Sequence, residues 1–245
     1  MRALRKMTWV ELKLYLRDPI GTFFALAFPL LLLFIFGSIY GNEPSEFLGG
    51  RGSVDNSVPG YIGIIIGTVG MLSVPISLAS YRELGILRRL RATPLHPLVV
   101  MGARLIVSSI MALLGILLLY VSGSAFYGLM PPSAPLGVIL ATALSTFSFL
   151  AIGFVLAGVL PTANAALSVG MAIFYPMMFI SGAGLPRQML SDTLLKIGDF
   201  LPLTHVVTLI QDLWIGDGWN LVSLAYLAGT LLVGLVVATL TFRWE

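Results

Sequence analysis

The chain has no cysteine, so disulfides and thiolate chemistry are excluded. Histidine is almost as scarce: only His96 and His205 occur, and no His-x-x-x-His pair exists to hold zinc for an intramembrane protease. A rhomboid-like serine site is weakened because Ser181-Gly182 follows Phe179-Ile180 rather than Gly-x, which leaves Ser181 as a turn residue. The lysines Lys6, Lys13 and Lys196 follow Arg5, Leu12 and Leu195, so none completes a phosphate-binding Gly-Lys-Ser/Thr loop. Charge is scarce too, at 10% of residues against 58% hydrophobic. The middle of every long apolar run is free of Asp, Glu, Lys, Arg and His. An arginine ladder for sensing voltage is therefore absent, and so are the midplane ionisable sites that proton- or sodium-driven transporters use.

What the chain does have is a series of continuous apolar runs of membrane-spanning length, with a mean hydropathy of +0.97. They do not alternate with period two, which argues against a barrel. The expected fold is an all-α integral membrane protein forming one domain over 1–245. Its six spans are expected at 20–40, 58–80, 98–127, 136–160, 165–181 and 221–242, with Met1 read as a true start and the first span as an uncleaved anchor. Pro29 and Pro75 predict kinks in spans one and two. Gly60, Gly63, Gly67 and Gly70 are spaced three, four, three on one helical face, where small residues admit a close neighbour. Arg104, near the start of span three, is expected to snorkel back to the interface.

Three segments outside the spans carry pattern. In 2–18, Arg2, Lys6, Lys13 and Arg17 fall within a sector of about 60° on a helix, with Leu4, Met7, Val10 and Leu14 beside it. This predicts an amphipathic helix lying in the interface, anchored by Trp9 and ended by Pro19. Segment 81–97 places four arginines (Arg82, Arg88, Arg89, Arg91) between two spans and stops at Thr93-Pro94. It is either a topogenic loop or a docking element. Segment 182–218 reads as two short helices, the first with a stripe of Leu190, Leu194, Ile197 and Leu201, broken by Pro202 and ended by Gly216. Each is too short to span, which suggests a re-entrant or interfacial hairpin. Thr162 or Asn164 can cap span five, and Thr204 the second hairpin helix.

Six spans put eleven Lys and Arg on the side of the termini and of 81–97, against Arg51, Arg187 and Lys196 opposite. The positive-inside rule then makes the termini and 81–97 cytoplasmic and the hairpin external. If this chain moves something across the membrane, the energy is expected to enter from outside the bilayer.

Several stretches, in order, carry a resemblance. Arg17-Asp18-Pro19, Phe28-Pro29 and Phe36-Gly37 mark the opening. Arg82-Glu83-x-Gly85-x-Leu87-x-Arg89-Leu90-Arg91-Ala92-Thr93-Pro94-Leu95 follows span two. Phe179-Ile180-Ser181-Gly182, Leu185-Pro186 and Leu201-Pro202-Leu203-Thr204-His205 lie between spans five and six. Together they resemble the membrane subunits of ABC-2-type exporters over essentially the whole chain. The chain departs from that family at Gln211-Asp212-Leu213-Trp214, where many members carry an acid followed by Arg.

The resemblance implies that 82–95 is a coupling helix docking on a separate cytoplasmic ATPase. Arg82, Glu83, Leu87, Arg88, Arg89, Arg91 and Thr93 would touch or support that contact. The physics agrees, since Leu87 and Leu90 offer an apolar ridge and the arginines can pair with carboxylates. The resemblance further implies two ATPase copies, a second permease copy or related chain, and no cofactor in this chain, with ATP and Mg bound by the partner. No enzymatic activity is expected of the chain alone, and no nucleic acid partner. The location would be the cell membrane, surrounded by its lipids. Candidate lining residues of a pathway between two copies are Phe24, Phe28, Met71, Tyr175, Met177 and Met178, where aromatics and methionine suit adaptable apolar recognition. Ordinary helix or lipid packing is the competing role for each. The expected cargo is an amphipathic small molecule such as a drug or antibiotic. Lipid or polysaccharide export, or an ATP-independent transporter or channel, are the alternatives.

Overall fold

The computed structural model describes residues 2–45, 50–86, 89, 97–184, 187 and 190–241. Helix α1 (Arg2–Leu16) precedes the spans. It ends at Leu16, and Asp18 Oδ1 accepts the Gly21 N–H at 3.1 Å and so starts the short helical turn Pro19–Thr22. Six helices are long and apolar enough to cross a membrane among the described residues: α2 (Phe23–Tyr40), α3 (Ser53–Glu83), α4 (Val99–Tyr127, within a helix from Pro97), α5 (Pro135–Val159), α6 (Ala163–Ile180) and α9 (Leu221–Leu240). Between α6 and α9 lie α7 (Asp192–Gly198) and α8 (Pro202–Ile215), bent by 95° where Pro202 begins the second helix. No strand occurs among the described residues. The chain is an all-α membrane protein.

Helix α3 starts at Ser53, earlier than the apolar pattern alone suggests, because polar residues 53–57 are drawn into its first turns. The Asp55 carboxylate accepts the N–H of Gly52 at 3.4 Å, satisfying a donor left over at the helix start. At the other termini, the Thr162 side chain accepts the Ala165 N–H at 3.1 Å and caps α6. Gly216, at φ 112°, closes α8 in the left-handed conformation that glycine adopts without strain. Thr204 does not cap α8: its Oγ1 donates to Gly198 O at 2.6 Å, tying the two short helices together.

Both prolines expected to bend spans are preceded by a π-helical turn. In α2 it covers Phe23–Ala27, and the Phe28 N–H reaches Phe23 O just before Pro29. In α3 it covers Thr68–Ser73, and the Val74 N–H reaches Val69 O just before Pro75. Proline brings no N–H and crowds the carbonyl four residues back, and a widened turn relieves that crowding.

Helix α3 is the axis of the bundle, with α2, α4, α5, α6 and α8 packed around it. Of its most apolar window 89% is buried, against 22% for α2 and for α9. The four glycines on α3 lie where neighbours come closest, and they face several elements rather than one helix. Gly60 meets the backbone at Ala183, Gly63 meets Val207 and Leu203 of α8, Gly67 meets the Phe174 ring of α6, and a Cβ at Gly70 would lie 2.6 Å from Phe149 O of α5.

Candidate functional site

Arg82 and Glu83 end α3 and open the segment with the strongest functional pattern. The Arg82 guanidinium donates to Ala157 O and, at 2.7 Å, to Leu160 O. These are carbonyls at the C-terminus of α5, where a cation suits both the unpaired acceptors and the helix dipole. Arg82 therefore braces the base of the segment against α5. Glu83 and Arg89 are exposed, and the Arg89 N–H bonds Gly85 O at 3.1 Å. Leu87, Arg88, Arg91 and Thr93 lie outside the described residues.

Beside this base sits a feature that sequence reasoning missed. Arg104 does not snorkel to the interface. It is 2% exposed and turns inward beneath α1. One guanidinium nitrogen donates to both Ser73 O and Ser73 Oγ at 2.8 Å. The other lies 3.5 Å from Glu11 Oε2. The same carboxylate oxygen accepts the Tyr81 hydroxyl at 3.0 Å, and the guanidinium carbon lies 5.3 Å from the centre of the Tyr15 ring. Glu11 is wholly buried, and burial raises its pKa above the ordinary value of 4.5, opposed by Arg104 and by the Tyr81 hydrogen bond. The cluster joins α1 (Glu11, Tyr15), the π turn and last turns of α3 (Ser73, Tyr81) and the first turns of α4 (Arg104).

The buried face of α1 consequently runs through Glu11 and Tyr15, with Met7 partly covered. Val10 and Leu14, expected on the apolar side, are exposed, as are Trp9, Arg5, Lys6, Lys13 and Arg17. The signal available was an acid four residues after Met7 and four before Tyr15, with an arginine a few residues inside an apolar run. Lone charges at such places need partners.

The opposite end of the bundle is closed by a second polar network. Asp55 accepts the Met130 N–H at 2.8 Å and the Asn42 side-chain amide at 3.3 Å, and that amide also reaches Tyr127 O at 3.0 Å. Arg51 donates to Ile215 O at 3.0 Å and to Ser133 Oγ at 3.3 Å. In α8, His205 stacks on Tyr226 with centroids 3.9 Å apart, and its ring nitrogens contact Ser223 Oγ and Asp199 O. These contacts give His205 a structural setting within the hairpin.

The lining candidates differ in burial within the single chain. Met71, Met177 and Met178 are buried, with Met71 in the π turn of α3 where its carbonyl abuts Gly170 of α6. Phe24, Phe28 and Tyr175 are half-buried, the two phenylalanine rings 5.6 Å apart, one on the π turn of α2 and one directly after it. An open apolar groove of about 540 Å³ lies elsewhere, between α5 and α9, lined by residues such as Ile152, Leu156, Gly229 and Val233. No group of three or more His, Cys, Asp and Glu able to hold a metal occurs among the described residues.

The family model described as ABC-2 type transporter matches residues 2–213. A curated relative from Cyanophora paradoxa, "Putative transport permease ycf38", is 27% identical over 229 residues, covering 89% of this chain and 74% of that protein.

Proposed function

Since the chain belongs to the ABC-2 type transporter family, we propose that this membrane subunit is the permease of an ATP-driven exporter, coupled to separate cytoplasmic ATPase subunits. The observation that carries the reading is the charged segment after α3. The helix ends that flank it lie beside α1, at the end opposite the α7–α8 hairpin, and the family match runs from α1 through the segment to residue 213 in α8. Two ATPase copies would dock on 82–95, with Arg88, Arg89 and Arg91 pairing to carboxylates and Leu87 filling an apolar recess. Arg82 and Glu83 belong to the base, where Arg82 holds the segment to α5. ATP and Mg belong to the partner, because this sequence has no phosphate-binding loop of its own.

The orientation follows from charge: the end bearing α1 and Arg89 faces the cytoplasm of a cell membrane, and the hairpin faces out. Two permease copies would form the pathway, with the half-buried Phe24, Phe28 and Tyr175 better placed than the buried methionines to reach a cargo in it. The cargo is an amphipathic small molecule such as a drug or antibiotic. ATP-driven closure of the partners would switch the two copies between inward- and outward-facing arrangements.

The test is co-expression with an ABC ATPase encoded beside this chain. Substituting Arg88 and Arg91 with Glu is expected to abolish co-purification. If the complex still assembles and its ATP turnover still responds to cargo, docking through 82–95 is wrong. Uphill transport by the purified chain without any ATPase would overturn the whole reading.

A further inference from the structure

Resting on that transporter reading, we propose that Arg104 is a positioning residue that exchanges between Ser73 and Glu11, tying the place of α1 and of the coupling-segment stems to the π turn of α3. In the chain, the segment 82–95 directly follows Tyr81 and precedes α4, whose first turns carry Arg104. Both stems, together with α1, converge on the single carboxylate of Glu11. Anything that pulls on the segment or on α1 is therefore felt at one buried point.

The two bonds of Arg104 are unequal. Its grip on Ser73 is made twice at 2.8 Å, whereas its approach to Glu11 is 3.5 Å and single. Arginine and carboxylate pair best through two short parallel contacts. The groups needed for such a fork are at hand, since Glu11 Oε1 has no partner among the described residues and the Arg104 nitrogen now on Ser73 is the one that would meet it. A displacement on the order of 1 Å, the scale of helix shifts at packed interfaces, would convert the loose contact into a fork and loosen Ser73. Ser73 is the last residue of the π turn and lies two residues before Pro75, so its neighbourhood is where the α3 backbone is least regular. Irregular turns of this kind are common at working positions in helices.

A buried guanidinium is too costly to leave unpaired. Arg104 must hold one anchor as it releases the other, which makes the cluster a two-position device rather than a soft spring.

The experiment compares the wild-type chain with Glu11→Gln, Ser73→Ala and, as a control on the exposed face of α1, Lys13→Gln. Each is purified in detergent, alone and with the ATPase, and checked for monodispersity. Hydrogen exchange is followed in the peptide covering residues 69–78, with and without a non-hydrolysable ATP analogue and Mg. In the wild-type complex the nucleotide should change that exchange. In Glu11→Gln and Ser73→Ala the change should shrink at least threefold while the ATPase co-purifies normally, and Lys13→Gln should behave as wild type. A full nucleotide response in both variants would sink the proposal. If no ATPase joins even the wild-type chain, the exporter reading has failed. The chain-alone arm then decides: Glu11→Gln, which is linked to Ser73 through Arg104, must alter the exchange of 69–78 at least threefold, and unchanged exchange refutes the tie.

Discussion

Asp55 and Glu11 are both buried carboxylates, at opposite ends of the same bundle, and they are held differently. Asp55 uses both oxygens. Its donors are the backbone amides of Met130 and Gly52 and the side-chain amide of Asn42, groups set in place by the ends of α2, α3 and α4. Glu11 uses one oxygen, and its donors are the tips of two long side chains, Tyr81 and Arg104. Backbone donors cannot move without moving a helix end, whereas side-chain tips can change partners by rotation. One end of the molecule is fastened and the other can be rearranged. That division suits the proposed arrangement, in which force would arrive at the α1 end.

The contrast can be broken by mutation. The largest effect is expected for Arg104→Ala, which strands a buried carboxylate at a cost of about 3–5 kcal/mol. Thermal unfolding in detergent measures it. Combining Glu11→Gln with Arg104→Met should recover most of the loss, because a pair removed together leaves no lone charge. If the double variant is as unstable as the single, the α1 end is not re-pairable in the sense argued here.

Asp55→Ala should cost about 2–3 kcal/mol by leaving buried amide donors without an acceptor. Adding Asn42→Ala should cost little more, since both residues act in one network. Recovery of stability by any second change at Asn42 would undermine the claim that this end is fastened by backbone donors.

Arg82→Ala should cost about 1 kcal/mol, the value of a partly exposed cap at a helix C-terminus, and Arg82→Lys should restore part of it. No loss on the alanine change would mean that the α5 carbonyls are served by water.

The smallest effect is on pH dependence. Burial raises the Glu11 pKa, so the folded chain binds this proton more tightly than the unfolded chain does. The contribution is full below the ordinary value of 4.5 and is lost as pH rises through the higher folded value. Stability measured from pH 4.5 upward should therefore fall more for wild type than for Glu11→Gln. Parallel curves would show that Glu11 does not titrate in this range.

Much of the architecture was readable because continuous apolar runs leave a membrane protein few options. Proline and glycine also punctuate locally: Pro202 starts α8 and Gly216 stops it through their own backbone geometry. The glycine spacing on α3 announced a crowded face but not its occupants, because periodicity describes one helix and the neighbours are chosen by the rest of the bundle. Arg104 was misjudged for the same reason. In one dimension an arginine a few residues inside a span has an obvious route back to water, and only the placing of α1 across it closes that route. Residue type alone does not reveal burial: Met71, Met177 and Met178 are buried in the core of the single chain.

By itself the order of residues determined that this chain crosses a membrane as helices, where the helices stop, and which family it resembles. Those properties depend on transfer of short segments from water to lipid and on local backbone chemistry. Only the tertiary structure decided that Glu11, Ser73, Tyr81 and Arg104 share one buried cluster, and that Arg82 fastens to α5. Such pairings join residues far apart in the chain, and a buried charge finds its partner only once the helices have packed.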